Sequence, residues 1–293
     1  MDLTKLRYFY VVAKHEHVTR AAEEIHIAQP ALTKTIKQLE EELETPLFFK
    51  QGRNIRLTGF GKYLRDKLAG VFAQLDAIPQ ELKTLKAERE REVKINVLSA
   101  TTVVTDAVVA YKKKHSEAVF GLIRNETETD CDISVSTEGV DQNVLPAFSR
   151  RCIMEEKVYL AVPKSSAYAG RESIALKECK DEGFVHLAGS RLFRNVCDRF
   201  CAYAGFKPKI SFESDSLSAV KNIIGAGAGV GFWPEYTWGK VSGEIRLLPI
   251  TDPVCSRELI VGLHETATPS DTALDFYDFL LKFLQKCRKR GSI

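Results

Sequence analysis

Three groups of residues in this sequence have the types and spacing to act on another molecule. The first is cationic: Lys34, Lys37, Lys50, Arg53 and Arg56 lie on either side of an acidic cluster, Glu40, Glu41, Glu42 and Glu44. Two basic patches parted by an acidic stop suggest a shaped contact surface for nucleic acid more than a solubilising coat. The second group is hydroxylic. Ser99, Thr101 and Thr102 fall at the start of one predicted helix and Ser190 at the start of another, while Ser136 and Thr137 end a predicted strand. Helix N-termini offer free N–H groups and a partial positive charge, so two that converge favour an anionic group such as a carboxylate. The plain alternative is that these hydroxyls cap helices, and the two roles are compatible. The third group is a pair of thiols, Cys197 and Cys201, one helical turn apart. They either share the buried face of a helix or form a thiol-based redox sensor.

Catalytic signatures are missing. There is no G-x-S-x-G, P-loop, H-E-x-x-H or Cys/His nucleophile arrangement, so no enzymatic activity is expected. The seven cysteines fall in no CxxC or metal-ligand spacing, so neither metal nor cofactor is expected. The glycine run GAGAGVG, 225–231, fails the dinucleotide pattern, because Val230 stands where the third glycine belongs and the run follows a helix.

The elements that must position these groups follow from periodicity. Residues 3–14 read as a helix with Leu3, Leu6, Phe9, Tyr10 and Ala13 on one face. Thr19 is a candidate N-cap for a second helix. Pro30 suits the first turn of a third, whose buried stripe is Leu32, Ile36, Leu39 and Leu43. Lys34 and Lys37 then point outward, with Thr33 on the flank. Two helices joined by a short turn have the build of a DNA-reading unit. FFKQ and NIRLT read as a two-stranded wing turning through Gly52. Over 59–88, Leu64, Leu68, Val71, Leu75, Ile78, Leu82 and Leu85 step alternately by four and three residues, a heptad seam that predicts pairing with a second chain. Pro79 interrupts the backbone bonding and predicts a bend. Beyond the charged run KAEREREV, 86–93, strands and helices alternate, which predicts an α/β fold over a largely parallel sheet.

A chain of 293 residues with 44% hydrophobic and 28% charged residues is long enough for two or three compact units, and its net charge is only +3. No apolar run reaches membrane-spanning length and the N-terminus lacks signal-peptide order, so a cytoplasmic protein is expected.

The segment TRAAEEIHIAQPALTKTIKQLEEEL, followed by PLF and R-x-L-T, resembles the N-terminal domain of LysR-type transcriptional regulators. AYAGFKPKISFESDSLSAVKNIIGAGAGVGFWP resembles the same family further along. The resemblance implies an all-α winged helix-turn-helix at 1–58 and a linker and dimerisation helix at 59–90. An effector domain of two Rossmann-like subdomains, like a periplasmic binding protein, follows at 91–293. Subdomain I is placed at 91–161 and 265–293, and subdomain II at 162–264. The resemblance also puts DNA reading at Gln29, Pro30, Thr33 and Lys34, with Arg53 and Arg56 on the wing; Lys37 joins them as an outward cation. It places a small effector in the cleft between subdomains, where Ser99, Thr101, Thr102, Ser136 and Ser190 are candidate contacts and Phe232 and Trp233 a candidate apolar floor. Expected partners are double-stranded DNA with dyad half-sites, a small effector, a second copy through Leu64 to Leu82 (dimer or tetramer), and RNA polymerase; no membrane is expected.

Four departures stand out. Ala28 replaces a usual serine cap, Glu44 replaces a glycine expected in left-handed backbone, and Lys50 replaces an arginine fork. Between the strands AVFGLI and CDISVS only RNETETDC remains, too short for the usual crossover helix, so that helix is expected to be missing.

Overall fold

The computed structural model describes residues 2–52, 54–125, 130–138, 147–188, 191–241, 243–265 and 270–291, with Arg191 described by its backbone alone. The chain divides into two compact units, 1–87 and 88–293.

In the first unit α1 (Leu3–His15) is capped by Asp2, whose carboxylate accepts from the Lys5 N–H at 2.8 Å. The second helix, α2 (Val18–Glu24), starts two residues earlier than a Thr19 cap would allow. His17 takes the extended cap position instead, and its ring accepts from the Arg20 N–H at 3.4 Å. Helix α3 (Gln29–Glu42) carries Pro30 in its first turn, and Ala28 supplies no side-chain cap. Its stripe, Leu32, Ile36 and Leu39, is buried with Phe9, Val12 and Ala21. Just past α3, Glu44 holds a φ of 49°, the left-handed region in which a side chain is strained. Strands β1 (Phe48–Gln51) and β2 (Asn54–Leu57) pair antiparallel as the wing. The Glu40 carboxylate accepts from the Leu47 and Phe48 N–H groups at 2.7 and 3.0 Å, so one member of the acidic cluster fixes the base of the wing.

Helix α4 (Gly59–Arg91) runs unbroken through Pro79. The expected seam divides on it. Leu64, Leu68 and Leu75 pack into the core of their own unit around Phe72, which is only 1% exposed. Phe72 lies four residues beyond Leu68 and three before Leu75, so it widens the stripe into an intramolecular face. Val71, Ile78, Leu82 and Leu85, on the adjoining face, are exposed.

In the second unit β3 (Glu92–Val97) lies between β4 (Val119–Ile123) and β5 (Ile133–Thr137), parallel to both, with α5 (Thr101–Lys112) crossing between β3 and β4. The long strand β6 (Phe148–Pro163) is followed by β7 (Ile174–Ala175), β8 (Gly183–Leu187), α6 (Arg191–Tyr203), β9 (Lys209–Ser214), α7 (Leu217–Gly225), β10 (Gly231–Pro234), β11 (Ile245–Leu248) and β12 (Ile250–Asp252). The return strand β13 (Ser256–His264) and α8 (Asp271–Arg290) close the unit. The main sheet has seven strands, in the order β10-β6-β13-β5-β3-β4 with β11 also on β6. Only the two β3 pairings are parallel; β13 with β5 and β6, and β10 and β11 with β6, run antiparallel. A largely parallel sheet is therefore corrected to a mixed one, because β6 and β13 pair directly as they pass between the two halves.

Each half has its own core. One gathers Ile95, Val104, Val135, Met154, Leu259 and Phe276; the other gathers Val158, Phe184, Val196, Val220 and Cys255. The change-over falls between Met154 and Val158 on β6 and between Cys255 and Leu259 on β13. Both points come earlier than the expected 161/162 and 264/265. Between β4 and β5 the described residues hold no helix. Buried Asn96 of β3 grips that connection instead: its amide donates to the Asn125 carbonyl at 2.7 Å and accepts from the Asn125 N–H at 3.2 Å.

Candidate ligand cavity and nucleic-acid interface

Burial of Leu32, Ile36 and Leu39 turns the opposite face of α3 outward, so Gln29, Pro30, Lys34 and Lys37 are all exposed. Thr33 is half-buried and its hydroxyl donates back to the Gln29 carbonyl at 3.0 Å. The Thr19 hydroxyl meets the Gln29 side chain at 3.4 Å, tying the first turn of α3 to α2. On the wing, Arg56 pairs with Glu16 and donates from Nε to Gln51 at 3.2 Å. Arg53 lies outside the described residues. The result is an exposed helix N-terminus with two outward lysines beside a wing, able to contact phosphates and base edges together.

The second unit encloses a cavity of about 210 Å³ where its two halves meet. Ser99, Ala100, Thr101 and Thr102 form one wall. Ala100 sits at a φ of 62° and gives α5 no side-chain cap, so the first-turn N–H groups are left for another acceptor. The floor is polar and buried. Arg257 of β13 stands directly opposite Glu156 of β6 in register, at the point where both strands change core. Its Nε donates to Glu156 Oε2 at 2.9 Å and its Nη2 pairs with the same oxygen at 2.8 Å. Nη2 also donates to Thr237 Oγ1 at 2.6 Å, and Nη1 to Ser99 Oγ at 3.1 Å. Glu156 further accepts from the Tyr236 and Thr237 N–H groups at 2.9 and 2.8 Å. Three of the five guanidinium N–H groups donate hydrogen bonds in this way, and the Ser99 hydroxyl, accepting from Arg257, keeps its proton to donate. The opposite wall is apolar: Leu187, Phe193, Leu217 and Trp238. Arg124 and Asp215, both exposed, stand at the cavity from opposite halves.

Of the residues singled out from sequence, Ser99, Thr101 and Thr102 are brought together at the cavity. Ser136 is buried in β5, away from its lining. Phe232 and Trp233 are absent from the lining of this cavity; β10 carries them into the core of the second half, where Phe232 borders a small void beside His186, and Trp238, in the turn beyond, supplies the aromatic wall. Ser190 lies outside the described residues. Arg257, Glu156, Thr237, Phe193 and Trp238 escaped the sequence reading. Cys197 and Cys201 are 3% and 0% exposed on the inner face of α6. Burial pushes the Cys197 thiol well above its ordinary range and the Cys201 thiol up to about 12, the opposite of what a peroxide-reactive thiolate needs.

A helix-turn-helix with a wing, followed by a two-halved α/β unit that encloses a small-molecule cavity, defines a ligand-binding transcription regulator. Comparison with known proteins agrees. Residues 3–62 match the family model for bacterial regulatory helix-turn-helix proteins of the lysR family, and residues 87–285 match that of the LysR substrate binding domain. The chain belongs to the LysR family of transcription regulators. It is 28% identical over 295 residues to the transcriptional dual regulator GltC of Bacillus subtilis, with 98% of each chain covered. Among solved structures, a full-length OxyR variant from Pseudomonas aeruginosa superposes with a TM-score of 0.70 at 20% identity, covering 96% of this chain and 99% of that one. CbnR complexed with its target DNA superposes at 0.54 and 17% identity, covering 97% and 99%. Among the described residues no helix is long and apolar enough to cross a membrane.

Proposed function

We propose that this regulator controls transcription in response to a small organic anion held in the cavity between the two halves of its effector unit. The observation that carries the reading is the uncapped start of α5, with the Ser99 hydroxyl and the Arg257 guanidinium beside it, facing an apolar wall. Glu156 balances the charge of Arg257, so the attraction comes from converging donors, the α5 dipole and Arg124 rather than from a bare cation. Because β6 and β13 pass through the floor of the cavity, a ligand that touches both halves can change the angle between them. The exposed stripe Val71, Ile78, Leu82 and Leu85 pairs with a second copy, giving a dimer or tetramer that places two helix-turn-helix units on dyad half-sites. Gln29, Pro30, Thr33, Lys34 and Lys37 read the DNA, with Arg53 and Arg56 on the flanking phosphates. The protein acts in the cytoplasm, with RNA polymerase as its downstream partner.

The test begins by mapping the genomic sites the protein occupies and recovering one operator. Operator affinity is then titrated with and without each carboxylate that binds. Coupling is reciprocal, so a ligand that changes operator affinity by some factor must find its own affinity changed equally by the operator. A ligand that binds the cavity and leaves operator affinity unmoved contradicts the reading.

A further inference from the structure

The strand β8 presents a histidine that nothing so far has used. His186 is 4% exposed, and neither of its ring nitrogens has a hydrogen-bond partner. Buried polar groups are nearly always paired, so two orphaned nitrogens on one ring call for an occupant. Beside the ring lies a void of about 10 Å³, the room one oxygen-sized atom takes. Leu187, Phe193 and Trp238 line this void and also line the main cavity. The rings of Phe193 and Trp238, edge to face at 5.5 Å, border both spaces.

We infer that the void beside His186 is the far end of the ligand cavity, and that it receives an uncharged hydrogen-bonding group, a hydroxyl above all, carried by the same anionic ligand. This rests on the cavity reading above and adds the second functional group of the ligand. The charges around the ring are already matched: Arg194 of α6 is bound by Asp198 at 3.0 Å and by Glu213 of β9. Burial, and then the Arg194 charge, hold the imidazole down to about 4, so it is neutral at physiological pH. A neutral imidazole offers one N–H and one lone pair. A hydroxyl answers either, whichever tautomer is present, whereas a second carboxylate could only accept from the N–H and would bury its charge beside a neutral ring, with no cation left unmatched to balance it. The ligand class is therefore a short hydroxy acid: carboxylate toward α5 and Ser99, methylene chain along Leu187 and Phe193, hydroxyl at His186.

The experiment uses the full chain and matched probes, straight-chain carboxylates of three to six carbons and their ω-hydroxy counterparts, titrated by calorimetry. One hydroxy acid should bind the parent protein about tenfold tighter than its plain counterpart, the effect of pairing an otherwise orphaned buried group. In His186→Leu that tenfold advantage should vanish while the affinity of the plain acid stays the same; in His186→Gln, which keeps a donor and an acceptor, part of it should remain. Equal affinity of the two acids for the parent overturns the inference and leaves the anion reading standing; this comparison needs no variant to fold. Failure of every carboxylate, plain or hydroxylated, to bind overturns both. A crystal structure in which water still fills the void beside a bound hydroxy acid also overturns the inference.

Discussion

The two units of this protein present their working residues in opposite ways. In the first, Gln29, Lys34 and Lys37 stand in solvent on one helix, and the surrounding structure only has to turn a face outward. In the second, Ser99, Glu156, Thr237 and Arg257 are all buried, come from four separate segments, and hold one another. An exposed site can change residue by residue with little effect on the fold. A buried one cannot, because each donor is also a partner of the next, and this difference makes the comparison testable.

The largest effect is expected at the buried pair. Arg257→Leu leaves the Glu156 carboxylate without its cation inside the protein, which should destabilise the second unit by about 3–5 kcal/mol. Replacing both residues by leucine should recover most of that stability and still abolish ligand binding. Thermal denaturation, with transitions assigned to each unit, reads this directly; an Arg257→Leu protein as stable as the parent would break the contrast.

Next comes pH. His186 is held down to about 4, while the unfolded chain titrates near the ordinary value of 6.5. Between those values the unfolded state binds more protons than the folded one. Stability is therefore highest above pH 6.5 and falls as pH drops toward 4, by at most about 3 kcal/mol from this residue. Asp198 and Glu213, which face the ring, temper the loss, and Arg194 adds to it. His186→Leu should flatten that part of the denaturation profile and leave the parent's stability at pH 7 intact or raised. An unchanged slope between pH 6.5 and 4 would mean the ring is solvated.

At the exposed site, Lys34→Ala should weaken operator binding by about 1–3 kcal/mol, measured at fixed salt, with no shift in melting temperature. Equal affinity removes Lys34 from the interface. Smallest in stability is Leu82→Asp. The side chain is exposed, so the fold should change by less than about 0.5 kcal/mol, yet sedimentation should show a smaller assembly. Leu75→Asp would strike the core around Phe72 as well, which makes Leu82 the cleaner probe.

Legibility in the sequence follows the same division. The helices of the first unit could be read because one apolar face recurs every three or four residues and leaves the opposite face defined. The seam on α4 misled in part, since a heptad step records burial without saying which chain does the burying. The cavity wall at Ser99, Thr101 and Thr102 could be placed from a strand followed by a helix. Its floor could not, because Arg257 and Glu156 lie far apart in sequence and meet only through the register of β6 and β13. A signal was there: Arg257 is in phase with Leu259, Val261 and Leu263, and Glu156 with Met154, Val158 and Leu160, so period-two alternation alone turns both charges inward. His186 is in phase with Phe184 by the same rule. An aromatic pair after a glycine turn looks like a pocket wall, and Phe232 and Trp233 read that way in the sequence. Yet Gly229, where a side-chain carbon would come within 2.4 Å of the Gly183 carbonyl, presses that turn against β8 and sends the strand into the core.

The most direct test of the central claim is a calorimetric titration of small carboxylates, with cationic and neutral analogues, into the parent and a Thr101→Val, Thr102→Val double variant, both residues lining the cavity outside the buried Arg257 network. The expected result is saturable binding of at least one carboxylate to the parent, one per chain, weakened about tenfold or more in the double variant while both proteins melt alike. A ligand bound equally by both proteins, or binding confined to cationic compounds, would contradict the assignment of this cavity as the sensor.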